Sequence, residues 1–250
     1  MSVAHAARVT KVGTVCAVVD DFLPPDLFEA VFAFCNAGDY RMVHTDKVQK
    51  VWRLHDGLPL RGPTYRYRTA AGAESHPGTY PTGSVIDRFM EAMLGTMDQV
   101  ADIVGEPVRG WQEFTLAPWV YPVGAGLSLH QDTGRTGDQS YTGSYVFYAH
   151  PEWSLHWGGW LLLFDERRAG ADRQTASTRG RVVPPWLSDA ADAGLVRQTT
   201  LGTAVLPAPN RIVFINARTP HLITRVDQNA GDHPRVSLAG FLVRSAPDGA

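Results

Sequence analysis

The run Tyr121–Asp132, YPVGAGLSLHQD, carries most of what this sequence says about its fold. Its second half, LSLHQD, alternates as a strand does, and Gly124 and Gly126 allow a sharp turn just before it. Side chains two apart on a strand share a face, so His130 and Asp132 can both reach one ion. Two imidazoles and one carboxylate on one face of an octahedron suit iron(II) and leave three positions open. The missing imidazole must then come from another strand. His221 fits, because it opens the run HLITRV after the strand-like RIVFIN (Arg211–Asn216) and the turn ARTP. An isolated H-x-D is weak, since nine histidines are present and a surface His beside a turn-forming Asp spells the same letters. Its surroundings decide the matter.

From Trp111 onward the chain is a succession of short apolar or alternating runs, WQEFTLAPWVY, LSLHQD, SYVFYA, GWLLLF, GTAVLP, RIVFIN, HLITRV and RVSLAGFLV. Gly, Pro, Asn and Asp punctuate them, which predicts a β-sandwich or jelly roll. Before them the pattern is helical. VCAVVDDFLPPDLFEAVFAFCNAG reads as a strand, a turn and a helix that Pro24 and Pro25 begin and Gly38 ends. A second helix is expected from about Ser84 to Val104, where Ile86, Phe89, Met90, Met93, Met97, Val100 and Val104 recur at helical spacing before Gly105. Pro63–Arg68, PTYRYR, alternates like a strand. The expected class is mainly β with some α: one domain over 1–250, in which 1–110 supports a core at 111–245. Asp165–Thr200, polar and Arg-rich, interrupts the strands and is a candidate lid.

Composition narrows the function. A formal charge of −2 leaves no basic excess to neutralise phosphates, so no nucleic-acid partner is expected. No run of about eighteen apolar residues occurs, and the start, MSVAHAARVTKVG, has no long apolar stretch, so no membrane partner is expected either. Cys16 and Cys35 form no C-x-x-C pair, which fits a reducing cytoplasm without a disulfide framework or thiolate cluster. Oligomeric state is left open.

Taken in order, Tyr121–Asp132, Tyr148, WGGWLLLF (Trp157–Phe164), NRIVFIN, Pro220–His221 and RVSLAGFLV resemble the double-stranded β-helix of 2-oxoglutarate- and iron(II)-dependent oxygenases, nearest the prolyl 4-hydroxylase-like branch. The resemblance covers roughly Trp111 to Arg244 and touches the N-terminal hundred residues only in outline. It implies iron(II) held by His130, Asp132 and His221, with 2-oxoglutarate and O2 as co-substrates. Arg235 offers a fixed bidentate fork for the distal carboxylate of 2-oxoglutarate, and Ser237 adds a hydroxyl on the same strand face. Tyr148 matches a family tyrosine at that carboxylate, and Tyr121 matches one that borders the co-substrate. Members that halogenate lack the Asp132 carboxylate, so hydroxylation, desaturation or cyclisation is implied.

For the substrate, alternation from Tyr121 puts Trp119 on the same face, with Tyr65 or Tyr67 expected to close the other side. Leu161 and Phe241 are expected as apolar walls. The other histidines (His44, His55, His76, His150, His156 and His233) have no usable ligand spacing and read as surface or turn residues. A small molecule, an amino acid derivative or natural-product intermediate, is the expected substrate. Alternatives are hydroxylation of a protein residue such as proline, a zinc hydrolase on the same ligands, and a non-catalytic ligand-binding β-helix protein.

Overall fold

The computed structural model describes residues 8–43, 56–68, 80–107, 109–132, 135–136, 139–164 and 202–245. The elements are β1 (Arg8–Val12), β2 (Cys16–Asp20), α1 (Pro25–Asn36), β3 (Arg41–Met42), β4 (Leu60–Arg61), β5 (Tyr65–Arg68), α2 (Val85–Val104), β6 (Glu113–Tyr121), β7 (Leu127–His130), β8 (Arg135–Thr136), β9 (Gln139–Tyr148), β10 (Leu161–Leu163), β11 (Thr203–Val205), β12 (Ile212–Asn216), β13 (His221–Ile223) and β14 (Arg235–Ser245).

Both helices start where their signals lie. Pro25, which needs no backbone N–H partner there, occupies the first turn of α1, and the Ser84 hydroxyl caps α2 by accepting from the Ile86 amide. α1 stops one residue short of expectation, with Ala37 rather than Gly38 as its cap. The apolar stripe of α2 is wholly buried from Ile86 through Val104. Among the described residues no helix is long and apolar enough to cross a membrane.

The strands form two antiparallel sheets. The larger runs β1-β2-β12-β9-β14-β6-β4-β3, with β5 also on β6 and β8 on β9; the smaller runs β11-β10-β13-β7. Alternation divides each large-sheet strand between two cores. Phe114, Leu116 and Val120 of β6, Tyr145 and Phe147 of β9, and Val236, Leu238 and Leu242 of β14 pack with α1 and α2. Trp119, Tyr121, Val146, Tyr148, Val213 and Ile215 face the other way, towards Leu161, Leu163, Val205 and Ile223 of the small sheet. The jelly-roll interior between the sheets is therefore lined by a known set of positions, and every site residue discussed below is placed by it.

Two expectations need correction here. Tyr65 and Tyr67 do not close the interior: in β5 they stand opposite Leu116 and Phe114, so they take the helical face. Tyr67 stacks on Phe114 at 5.0 Å and Tyr65 meets Phe34 of α1 at 5.9 Å. His150 is not a surface residue but is buried. His156 and His233 are exposed as expected. The Asp165–Thr200 segment read as a lid lies outside the described residues, as do His44, His55 and His76.

Candidate active site

β7 and β13 are neighbours, and His130 stands directly opposite His221 in their register. Asp132 follows two residues past His130, and ligand atoms of all three lie within 4.8 Å of one another. Nε2 of His130 is 3.5 Å from Asp132 Oδ1, and Nε2 of His221 is 3.4 Å from Oδ2. The other ring nitrogen of each histidine faces a carbonyl: His130 Nδ1 donates to Ser128 O at 2.8 Å, and His221 Nδ1 donates to Thr219 O at 2.9 Å. A carbonyl can only accept, so each Nδ1 carries a proton and each Nε2 turns to the carboxylate. Burial, with His221 alongside, keeps the His130 imidazole well below its ordinary pKa and hence neutral. This is a preformed N,N,O donor set.

The start of β14 builds the second part. Arg235 is 0% exposed, and its guanidinium lies between two rings, 5.1 Å from the centre of Tyr121 and 4.9 Å from that of Tyr148. Register explains the sandwich: Arg235 is opposite Tyr121 on β6, and Ser237 is opposite Tyr148 on β9. Arg235 Nη1 reaches Ser237 Oγ at 3.4 Å, while its Nε and Nη2, and the Tyr148 hydroxyl, have no hydrogen-bond partner among the described residues. A buried cation with two idle donors beside an idle hydroxyl is costly unless something anionic completes it. Burial also raises the Tyr148 pKa, so that hydroxyl stays protonated and able to donate. The residues fit a carboxylate.

Three further residues support this cage and escaped the sequence reading. Gly159 has φ +65°, and a Cβ there would lie 3.0 Å from Arg235 Cδ and 3.2 Å from Trp153 Cζ2, so the paired glycines let the chain close over the arginine stem. His150 Nε2 donates to Pro207 O at 2.6 Å while Nδ1 accepts from Val236 N at 3.3 Å, pinning the residue next to Arg235. Burial pulls its pKa down to about 4. The signal available was spacing, since His150 continues the face of Val146 and Tyr148 two residues on and stacks with Trp153 at 4.6 Å. Asp56 accepts from Ser128 Oγ at 2.6 Å and so braces β7 behind His130. It comes from a distant segment, and no local pattern announces it.

Trp119 lies on the interior face, its ring 6.4 Å from that of Tyr121, and does not pack on the helices. Leu161 is buried between the sheets. Phe241 is half-buried and stacked on Tyr141 at 4.6 Å.

The fold is shared with several solved structures. A Pseudomonas putida prolyl-4-hydroxylase is 20% identical, with 92% of each chain covered and a TM-score of 0.56. A Trichoplax adhaerens prolyl hydroxylase in complex with a hypoxia inducible factor peptide is 11% identical, over 92% of this chain and 84% of that one, with a TM-score of 0.53. The non-heme alpha ketoglutarate dependent epimerase SnoN from nogalamycin biosynthesis is 13% identical, over 94% of this chain and 82% of that one, with a TM-score of 0.57. No curated protein sequence matches the chain. The model of the 2OG-Fe(II) oxygenase superfamily matches residues 117–243, slightly more than half of the 250, and takes in the histidine–aspartate strand, the second histidine and the buried arginine. By this match, made over the very strands that carry the site, the chain belongs to the 2OG-Fe(II) oxygenase superfamily.

Proposed function

We propose that this oxygenase hydroxylates an unactivated C–H bond of a small molecule, an amino acid derivative or natural-product intermediate, while 2-oxoglutarate is converted to succinate and carbon dioxide. The observation that carries the reading is the buried Arg235 with two unpartnered donors on the same interior that receives the His130, Asp132 and His221 side chains. Zinc hydrolysis would leave that guanidinium without a task.

His130, Asp132 and His221 would hold iron(II) through their Nε2 and carboxylate atoms. Iron(II) with 2-oxoglutarate and O2 would supply the oxidising power. The protein's own work is positional. Arg235, with Ser237 and the Tyr148 hydroxyl, takes the distal carboxylate of 2-oxoglutarate through charge-assisted bonds in a water-poor enclosure. Tyr121 covers the guanidinium from the other side and borders the co-substrate. Trp119, next on that face, is placed to form an apolar wall for the substrate. The free, buried Cys16 and Cys35 suit a reducing compartment, and the cytoplasm is the proposed location.

The test is succinate formation by iron(II)-loaded protein against a panel of small-molecule and peptide substrates, followed by NMR. Absence of any 2-oxoglutarate-dependent succinate, with or without substrate, would overturn the reading. Trp119→Ala should leave the fold intact and uncouple succinate formation from product; full coupling on the native substrate would remove Trp119 from the pocket.

A further inference from the structure

The interior face of the large sheet carries a row of side chains that starts at Tyr148 and Ser237 of the co-substrate cage and runs on beyond it. Register aligns Tyr148 (β9), Ser237 (β14), Trp119 (β6), Arg61 (β4) and Arg41 (β3) side by side across five strands. Directly opposed residues share a face, and neighbouring strands are about 4.8 Å apart, so Arg61 stands roughly 10 Å from Ser237 with Trp119 between them. Its guanidinium carbon is 5.3 Å from the Trp119 ring centre, which confirms that both side chains lie on the interior face.

Arg61 is only partly exposed and has no counter-charge among the described residues. It bonds Thr64 Oγ1 through Nη2 at 2.6 Å, but its Nε is buried with no partner, and among the described residues it makes no ion pair. Glu113, buried on β6 six residues before Trp119, is engaged elsewhere: it accepts from Arg66 Nη1 at 2.5 Å and from Arg68 Nε at 2.8 Å. Arg66 and Arg68 face the interior side too, opposite Thr115 and Glu113. Among the described residues this face of β3 to β6 carries four guanidiniums, Arg41, Arg61, Arg66 and Arg68, and one carboxylate, Glu113. Burial, reinforced by Arg66, lowers the Arg61 pKa, the mark of a cation held where water and counter-charge are scarce. A cation kept there has a reason when a ligand brings the opposite charge.

We propose that Arg61, flanked by Arg41 and laid over the Trp119 indole, binds an anionic group of the substrate, a carboxylate or a phosphate. The apolar body of the substrate lies across Trp119, and its anion marks the end remote from Ser237. This inference rests on the functional reading above and adds the charge of the substrate to it.

The experiment uses iron(II)-loaded protein saturated with 2-oxoglutarate and free of oxygen, so that the Arg235 cage is filled. It is titrated calorimetrically with phenylacetate, phenyl phosphate and benzyl alcohol. At least one anion should bind about tenfold or more tightly than the alcohol, and the stronger of the two identifies the group as carboxylate or phosphate. Arg61→Gln should weaken that anion by about tenfold or more, and Arg61→Lys should fall between that variant and the wild type, because the charge stays while the planar fork over the indole is lost. The inference is overturned if neither anion binds below about 10 mM, if the alcohol binds equally well, or if Arg61→Gln binds like the wild type. 2-Oxoglutarate affinity, measured in the same samples, separates the two levels. Wild-type protein that fails to bind 2-oxoglutarate removes the functional reading and this inference with it. Intact 2-oxoglutarate binding without discrimination at Arg61 removes this inference alone.

Discussion

Replacing Arg235 by methionine should separate the stability of this protein from its affinity for 2-oxoglutarate. In an ordinary buried ion pair, deleting one partner costs about 3–5 kcal/mol, because the other charge is stranded. Arg235 strands nothing: its one intramolecular hydrogen bond is the long one to Ser237, and two of its donors are already idle. Removing two unsatisfied buried donors returns about 1–3 kcal/mol each, while losing the guanidinium from between Tyr121 and Tyr148 forfeits about 0.5–2 kcal/mol per ring. With methionine filling most of the volume, these ranges bracket a net loss of about 2 kcal/mol to a net gain of about 5 kcal/mol, and their midpoints leave ligand-free stability higher by about 1.5 kcal/mol. At this chain length that midpoint is a gain of roughly 3–6 °C in Tm. The 2-oxoglutarate complex should lose about 3 kcal/mol or more, a rise in Kd above roughly a hundredfold. Thermal unfolding with and without 2-oxoglutarate, under anaerobic conditions, reads both numbers from one protein. A ligand-free Arg235→Met protein destabilised by about 3 kcal/mol or more, with an unchanged 2-oxoglutarate response, would refute the reasoning and make Arg235 structural.

His221→Ala should reduce iron(II) affinity by more than about a hundredfold, measured by calorimetry, and abolish succinate formation; metal binding within threefold of wild type would displace it from the ligand set. Gly159→Ala puts a Cβ at positive φ and against Arg235 Cδ, so the KM for 2-oxoglutarate should rise about tenfold with kcat largely kept. An unchanged KM would mean that the arginine stem yields without consequence. His150 is neutral in the fold, with a pKa of about 4 against about 6.5 when unfolded, so its contribution to stability is complete above pH 6.5 and is lost as pH falls towards 4. The loss amounts to about 3 kcal/mol across that window, and His150→Met should flatten the acid limb of a Tm-versus-pH curve by that share. Parallel acid limbs would count against it.

What could be read in the sequence followed from periodicity and what could not followed from pairing. The α2 stripe and its Ser84 start were legible because a helix face is set by residues close in the chain. His130 and Asp132 were legible for the same reason, being two apart on one strand. Trp119 was placed on the correct face by alternation from Tyr121, yet alternation could not say on which core Tyr65 and Tyr67 would land. That depended on the register of β5 against β6, and the β5 sequence fits either face. His150 was misjudged because ligand spacing was the criterion, whereas its burial follows from lying two residues past Tyr148 on the same face. Arg61 and Asp56 were invisible, since their roles come from residues far along the chain, Trp119 and Ser128.

The opposition of His130 and His221 reaches beyond chemistry. Among the described residues β7 is the outermost strand of the small sheet, and its ladder to β13 shifts register between His221 and Ile223. An ion held by one residue from each strand would act as a rivet through that rim, supplying strength where the backbone ladder is irregular. An open rim is where a foreign strand can add itself, so the rivet would also guard against self-association. Such protection needs ligand bonds and no electron transfer. A redox-silent ion such as zinc should therefore keep the protein monodisperse on storage while leaving it without activity, and chelation should shorten its shelf life before it alters the rest of the fold.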